Sequence, residues 1–98
     1  MLSIKRVTTN KYEKEFKLML KRGKNPRKLL EVVNLLLDNA NNGMEHHLLL
    51  PEKYYLHKLS GNYNNYWECH IEPDWLLIYY LDNEVIRLER TGTHSDLF

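Results

Sequence analysis

An α+β fold of order β-α-α-β-β-β-β, a two-helix hairpin packed on a mainly antiparallel twisted sheet, is what this chain of 98 residues predicts. Three observations carry that expectation. Two consecutive stretches, Tyr12 to Leu20 and Leu29 to Ala40, repeat apolar residues every three to four positions. Four segments with strand chemistry follow from Tyr54 onward, separated by turn residues. The length suffices for one hydrophobic core, and 43% hydrophobic and 28% charged residues are an ordinary globular composition. With no internal repeat, low-complexity tract or linker, residues 1–98 read as one domain.

The elements follow in order. Leu2 to Val7 alternates apolar and polar residues, a first strand with Leu2 and Ile4 inward and Lys5 and Arg6 suited to a sheet edge. Thr8, Thr9 and Asn10 are good N-caps for a helix carrying Tyr12, Phe16 and Met19/Leu20, which Gly23 ends. Asn25-Pro26 starts a second helix, whose stripe is Leu29, Val32, Val33, Leu36 and Ala40. Met44 to Lys53 shows neither period and reads as a connection. Strands are expected at Tyr54 to Leu59, Tyr66 to Glu72, Trp75 to Leu81 and Glu84 to Arg90, with Pro73 dividing the second and third and Asp82-Asn83 turning into the fourth. A short tail follows Thr91-Gly92-Thr93-His94.

No stretch approaches the roughly 18 consecutive apolar residues of a membrane span, and the start lacks an apolar signal core, so no membrane association and a cytoplasmic location are expected. The lone Cys69 cannot pair internally and, without a catalytic-cysteine signature, reads as a half-buried strand residue. The net charge of +1 hides an asymmetry: ten Lys/Arg face three Asp/Glu through Glu31, and four face ten in the remainder. The basic third is a candidate footprint for a phosphate backbone, although taken by itself it reads rather as the solvated face of an amphipathic helix.

Candidate chemistry sits beside the most apolar run of the chain. His70, Asp74 and His94 lie just outside core strands, and Asp74 follows Pro73 at a turn. Ile86, Leu88 and Arg90 share one parity, which Gly92 and His94 continue if the chain stays extended, placing Arg90 about 13 Å from His94, or closer if Gly92 bends the chain. A guanidinium, imidazoles and a carboxylate on one surface are what phosphodiester cleavage needs. One group takes the proton of the attacking 2′-hydroxyl, another protonates the leaving 5′-oxygen, and a cation meets the charge on the phosphorane. Hydrogen-bonded structural histidines remain the alternative, and Trp75 by itself reads as core. A metal site drawn from His46, His47, His57, Cys69, His70 and His94 is disfavoured, because the usual ligand spacings are missing. Neither metal nor other cofactor is expected.

The series Leu56-His57-Lys58-Leu59-Ser60-Gly61, Cys69-His70-Ile71-Glu72-Pro73-Asp74-Trp75-Leu76-Leu77-Ile78-Tyr79 and Leu88-Glu89-Arg90-Thr91-Gly92-Thr93-His94-Ser95-Asp96-Leu97-Phe98 closely resembles the YafQ-like branch of the RelE/ParE superfamily of bacterial toxins. The motifs H-x-x-P-D-W-x-L-x-Y and R-x-G-[TS]-H-x-x-L-F cover the C-terminal half, and the element order is compatible over the whole chain.

That resemblance implies the RelE-like microbial ribonuclease fold. It also implies the toxin of a type II toxin-antitoxin pair, an endoribonuclease that cuts messenger RNA in the ribosomal A site and is silenced by a cognate antitoxin. By motif, His57, His70, Asp74, Arg90 and His94 are the catalytic candidates: His94 as general acid, Asp74 or His70 as base or its orienter, and Arg90 as the phosphate's cation. Trp75 and Phe98 would contact nucleotides, with Phe98 anchoring a docked tail beside Asp74 and Arg90. Lys14, Lys17, Lys21, Arg22, Lys24 and Lys28 would bind the 16S ribosomal RNA backbone. Trp67 stands where relatives commonly have arginine, so the chemistry should lean on histidine, and Trp67 itself should pack under the sheet. Two alternatives remain: a non-enzymatic inhibitor of a protein such as DNA gyrase, the ParE-like case, and an inactive remnant. ParE-like proteins generally lack the His/Asp constellation.

Overall fold

The computed structural model describes residues 3–98, so Leu2 lies outside the described residues. The elements run β1 (Lys5–Thr8), α1 (Asn10–Lys21), α2 (Pro26–Asn41), β2 (His57–Lys58), β3 (Trp67–Glu72), β4 (Trp75–Leu81), β5 (Val85–Gly92) and α3 (His94–Leu97), with single 3-10 turns at His46–Leu48, Glu52–Tyr54 and Gly61–Tyr63. The strands order β1-β5-β4-β3-β2 in one sheet. β1 joins β5 in parallel and the other pairs are antiparallel. The expected α+β order is present, with one short helix added at the end.

Local chemistry explains the helices. Thr9 caps α1, its hydroxyl accepting from the Tyr12 N–H at 2.9 Å, and Gly23 (φ 87°) ends it in the left-handed conformation that suits glycine. Asn25 caps α2 with Pro26 in the first turn. The stripe of α2 is buried as anticipated: Leu29, Val32, Val33 and Leu36. With Tyr12 and Met19 of α1 they pack on Cys69, Trp75, Leu77, Tyr79, Ile86 and Leu88, one face of the sheet.

β4 is buried on both faces, which is why it reads as an unbroken apolar run. The helices cover Trp75, Leu77 and Tyr79, while Leu76 and Ile78 pack under Leu97 of α3 and beside Leu59, Tyr63 and Tyr66. The helix hairpin thus covers one face of β4, and on the second face the tail and a tyrosine-bearing loop do so.

Several boundaries differ from expectation, among them that of β5, which runs on to Gly92 rather than ending at Arg90. β1 starts at Lys5, with Ile4 packed against the core before it. β2 shrinks to His57–Lys58, because Glu52–Tyr54 makes a 3-10 turn and Tyr55 is left-handed (φ 47°, ψ 47°), which no strand tolerates. The parity of β5 breaks: Tyr79 pairs with Leu88 but Ile78 with Arg90, so Glu89 is an extra, bulged residue. Ile86 and Leu88 face the helices, and Arg90 turns to the opposite face.

Candidate active site

The sheet face away from α1 and α2 carries the candidates in register. One row crosses four strands as His57, Glu68, Ile78 and Arg90, and the next runs His70, Leu76 and Gly92. Only because of the bulge at Glu89 does Arg90 enter this row. His94 and Asp74 close one end.

The tail reaches them by bending at Gly92. A Cβ there would sit 3.0 Å from the Asp96 Cβ and 3.1 Å from its Oδ2, so this close approach favours glycine. Thr93 then starts α3 with a capping box: its hydroxyl accepts the Asp96 N–H at 3.2 Å, and Asp96 Oδ2 accepts the Thr93 N–H at 2.9 Å. Arg22 at the end of α1 donates to both Asp96 oxygens (2.6 and 3.2 Å), holding that carboxyl far below the usual carboxylate range, and Leu97 is buried beneath. Leu97 is therefore the anchor; Phe98, expected in that role, is 67% exposed.

Asp74 Oδ1 accepts two bonds from His94, the backbone N–H at 2.8 Å and ring Nδ1 at 2.5 Å. The backbone donor first and the imidazole second keep its carboxyl below the usual range, so Asp74 is ionised. An ionised acceptor on Nδ1 sets the tautomer and leaves Nε2 of the exposed His94 as the free nitrogen. Of the two roles open to Asp74, orienter is the one this geometry favours.

His57, His70 and His94 form a chain, with ring centroids 6.4 Å apart for the first pair and 5.5 Å for the second. Beneath the first two lies Glu68, whose Oε1 is 3.2 Å from His57 Nε2 and 3.7 Å from His70 Nε2. The Tyr55 carbonyl takes the N–H of His57 Nδ1 at 2.9 Å, and the ring's other nitrogen, Nε2, is the one near Glu68. Glu68 is buried and its Oε2 lacks a hydrogen-bond partner. Sequence reasoning passed over Glu68; its signal is parity with His70, two residues on along β3.

Other candidates are placed differently than expected. Arg90 is not a free cation: Nε and Nη2 engage Glu15 (3.1 and 2.6 Å), which raises its pKa, and further N–H groups reach Tyr63 Oη and the Asp96 carbonyl. Trp75 is fully buried among the core residues, its indole N–H donating to Thr91 Oγ1 at 2.9 Å, and it presents nothing to a nucleotide. Lys24 and Lys28 both clamp Glu72 (2.7 and 2.8 Å), so with Arg22 three of the six basic candidates tie elements together. Lys14, Lys17 and Lys21, on one face of α1, stay exposed without a carboxylate partner among the described residues.

The rest of the histidine and cysteine set lies elsewhere. His46 stacks on Trp67 (centroids 3.6 Å apart) and bonds Tyr79 Oη at 3.0 Å; burial lowers its pKa to about 4. Trp67 thus packs on the helix side, as anticipated. Cys69 is wholly rather than half buried, and burial pushes its thiol far above the ordinary range.

The model of a family described as bacterial toxin of type II toxin-antitoxin system, YafQ, matches residues 4–98. The chain is 42% identical over 90 residues to the mRNA interferase toxin YafQ of Escherichia coli K12, covering 92% of this chain and 90% of that protein. Its structure is similar to YafQ in the E. coli DinJ-YafQ toxin-antitoxin complex, with a TM-score of 0.83 and 39% identity over 99% of each chain. A metal-bound toxin from Helicobacter pylori shares the fold at a TM-score of 0.78 and 32% identity, over 97% of this chain and 99% of that one. Motifs, fold and relatives agree: the chain belongs to the YafQ family of bacterial toxins of type II toxin-antitoxin systems.

Proposed function

We propose that this chain, acting over its whole length as one toxin domain, is an endoribonuclease that cuts messenger RNA by general acid–base catalysis. The relatives' name, mRNA interferase, supports the reading, and the observation that carries it is the Asp74–His94 pair. With Asp74 accepting from Nδ1–H, His94 acts as general acid when Nε2 also carries a proton: that proton goes to the leaving 5′-oxygen and the ring is left neutral with Nδ1–H still on Asp74. The apical oxygens of a phosphorane lie on opposite sides of phosphorus, so two proton-transfer groups must flank it. His70, its ring 5.5 Å from that of His94, is the second and accepts from the 2′-hydroxyl. Glu68 orients His57 and His70 from below. Positive charge comes, tempered by Glu15, from Arg90. Exposed Phe98 is left to meet a nucleotide. A non-enzymatic gyrase inhibitor would need none of this constellation.

The ribosome presents the message in its A site, Lys14, Lys17 and Lys21 contact ribosomal RNA backbone, and a cognate antitoxin covers the toxin, as DinJ pairs with YafQ in the E. coli complex. Translation places this work in the cytoplasm. The test is single-turnover cleavage on programmed ribosomes and on free RNA, with circular dichroism as the folding control. His94→Ala should lower the rate about 10²- to 10⁴-fold without unfolding, and free RNA should be cut far more slowly than ribosomal message. A folded His94→Ala protein at the parent rate would remove this histidine from the mechanism. Equal rates on both substrates would make the chain an ordinary ribonuclease.

A further inference from the structure

We propose that the cleft beside His70 is a subsite for one nucleoside of the messenger, whose base stacks on the exposed ring of Tyr55. The proposal rests on the endonuclease reading above and adds a residue that neither motif contains. The cleft, about 620 Å³, lies between α2, the 3-10 turn at Glu52–Tyr54 and the end of β3, and His70 forms part of its wall. That volume falls in the range of about 300–1,000 Å³ typical of small-ligand sites. His70 belongs both to the cleft wall and to the chain of histidines, so a nucleotide flanking the bond being cut would reach the cleft past that ring, at the end of β3.

Tyr55 is built for this position. The residue is 68% exposed, and its ring stands 5.3 Å from that of His70, centroid to centroid, tilted by 42°. Its backbone is left-handed, a conformation that a bulky side chain adopts only where its surroundings impose it, and one that clusters at ligand clamps. Two bonds impose it here. The Tyr55 N–H closes the 3-10 turn on the Glu52 carbonyl at 2.9 Å, and the Tyr55 carbonyl holds His57 Nδ1 at 2.9 Å. One residue therefore bonds the imidazole of His57 through its backbone and borders His70 through its ring.

The charges of the wall decide what the cleft takes. Lys28 and Lys53 face Glu31 and Glu72, and Lys28 is already bonded to Glu72 at 2.8 Å, so the cleft exerts little net pull on a phosphate. What it offers is aromatic surface from Tyr54 and Tyr55, with Lys53 over the Tyr54 ring at 5.0 Å. A base, having a π-face and no charge, fits that lining; the phosphates stay outside with the histidines.

The test compares three proteins in single-turnover cleavage on programmed ribosomes. Tyr55→Asn removes the ring and keeps a residue that tolerates the left-handed backbone, so the carbonyl can still hold His57. Tyr55→Phe keeps the ring. kcat/KM should fall about 5- to 150-fold in Tyr55→Asn, the usual worth of one stacked base, and stay near the parent value in Tyr55→Phe. Thermal unfolding checks that both are folded. Parent-level cleavage by Tyr55→Asn would overturn the subsite, and so would a Tyr55→Phe protein as impaired as Tyr55→Asn, since the ring would then not be the cause. If the parent cleaves and His94→Ala does not while Tyr55→Asn is unimpaired, the subsite alone fails. An inert parent would sink the endonuclease reading and the subsite with it.

Discussion

Histidine takes opposite tasks on the two faces of this sheet, and its surroundings assign them. His94 is exposed against an ionised carboxylate, with Nε2 open to a substrate. His46 lies between Trp67 and Tyr79, and loss of water lowers its pKa to about 4. The consequence for stability has a definite sign. In the unfolded chain His46 takes up a proton near pH 6.5, whereas in the folded protein it resists until about pH 4. The unfolded state therefore binds more protons across that window, and stability falls as pH falls from about 6.5 to about 4, by on the order of 1–3 kcal/mol. His46→Phe keeps a ring on Trp67 and removes the titration. Denaturant unfolding from pH 7 to pH 4 should show a shallower acid loss in the variant; identical slopes would place the acid sensitivity elsewhere.

Among the elements, the end of β5 organises the site. The bulge at Glu89 aims Arg90 at the active face, Gly92 admits the turn into α3, and the capping box aligns His94 with Asp74. Gly92→Ala tests that chain of dependence. Its new methyl would press on the Asp96 Cβ at 3.0 Å, next to the helix backbone rather than at a flexible tip. Shifting α3 should cost about 1–3 kcal/mol of stability, as overpacking does. It should also lower cleavage at least about tenfold, since a displacement of 1 Å at a proton donor is costly. Thermal unfolding and the cleavage assay read the two effects separately; a variant unchanged in both would show that the tail tolerates the methyl.

For the whole molecule the charge asymmetry has two parts that composition merges. Arg22, Lys24 and Lys28 tie the helices to α3 and to the end of β3, while Lys14, Lys17 and Lys21 face outward from α1. Reversing the outward three to glutamate should weaken ribosome binding and flatten its dependence on salt, by about one slope unit per lost contact or less, and leave folding intact. Affinity measured across a salt series checks this. An unchanged slope would move the footprint off α1.

Periodicity, caps and turns placed both helices and the strands from Trp67 onward, because those are local: Thr9, Asn25, Gly23 and Asp82 act on neighbours a few residues away. The motifs likewise named the histidines and Asp74. Tertiary structure alone decided the rest. Parity predicted Arg90 beside Ile86 and Leu88, and a single bulged residue reversed its face. An apolar run showed that β4 was buried but not that Leu97 covered its second face. Parity with His70 is the one local sign of Glu68, while its approach to His57 and that of Tyr55 to His70 join separate segments of the chain. The family motifs assigned Trp75 to a nucleotide and Arg90 to the phosphate, whereas Thr91 takes the indole N–H of Trp75 and Glu15 the guanidinium of Arg90. Side-chain type and spacing are properties of the chain, whereas which partner satisfies each buried charge and polar atom is settled by packing between distant segments.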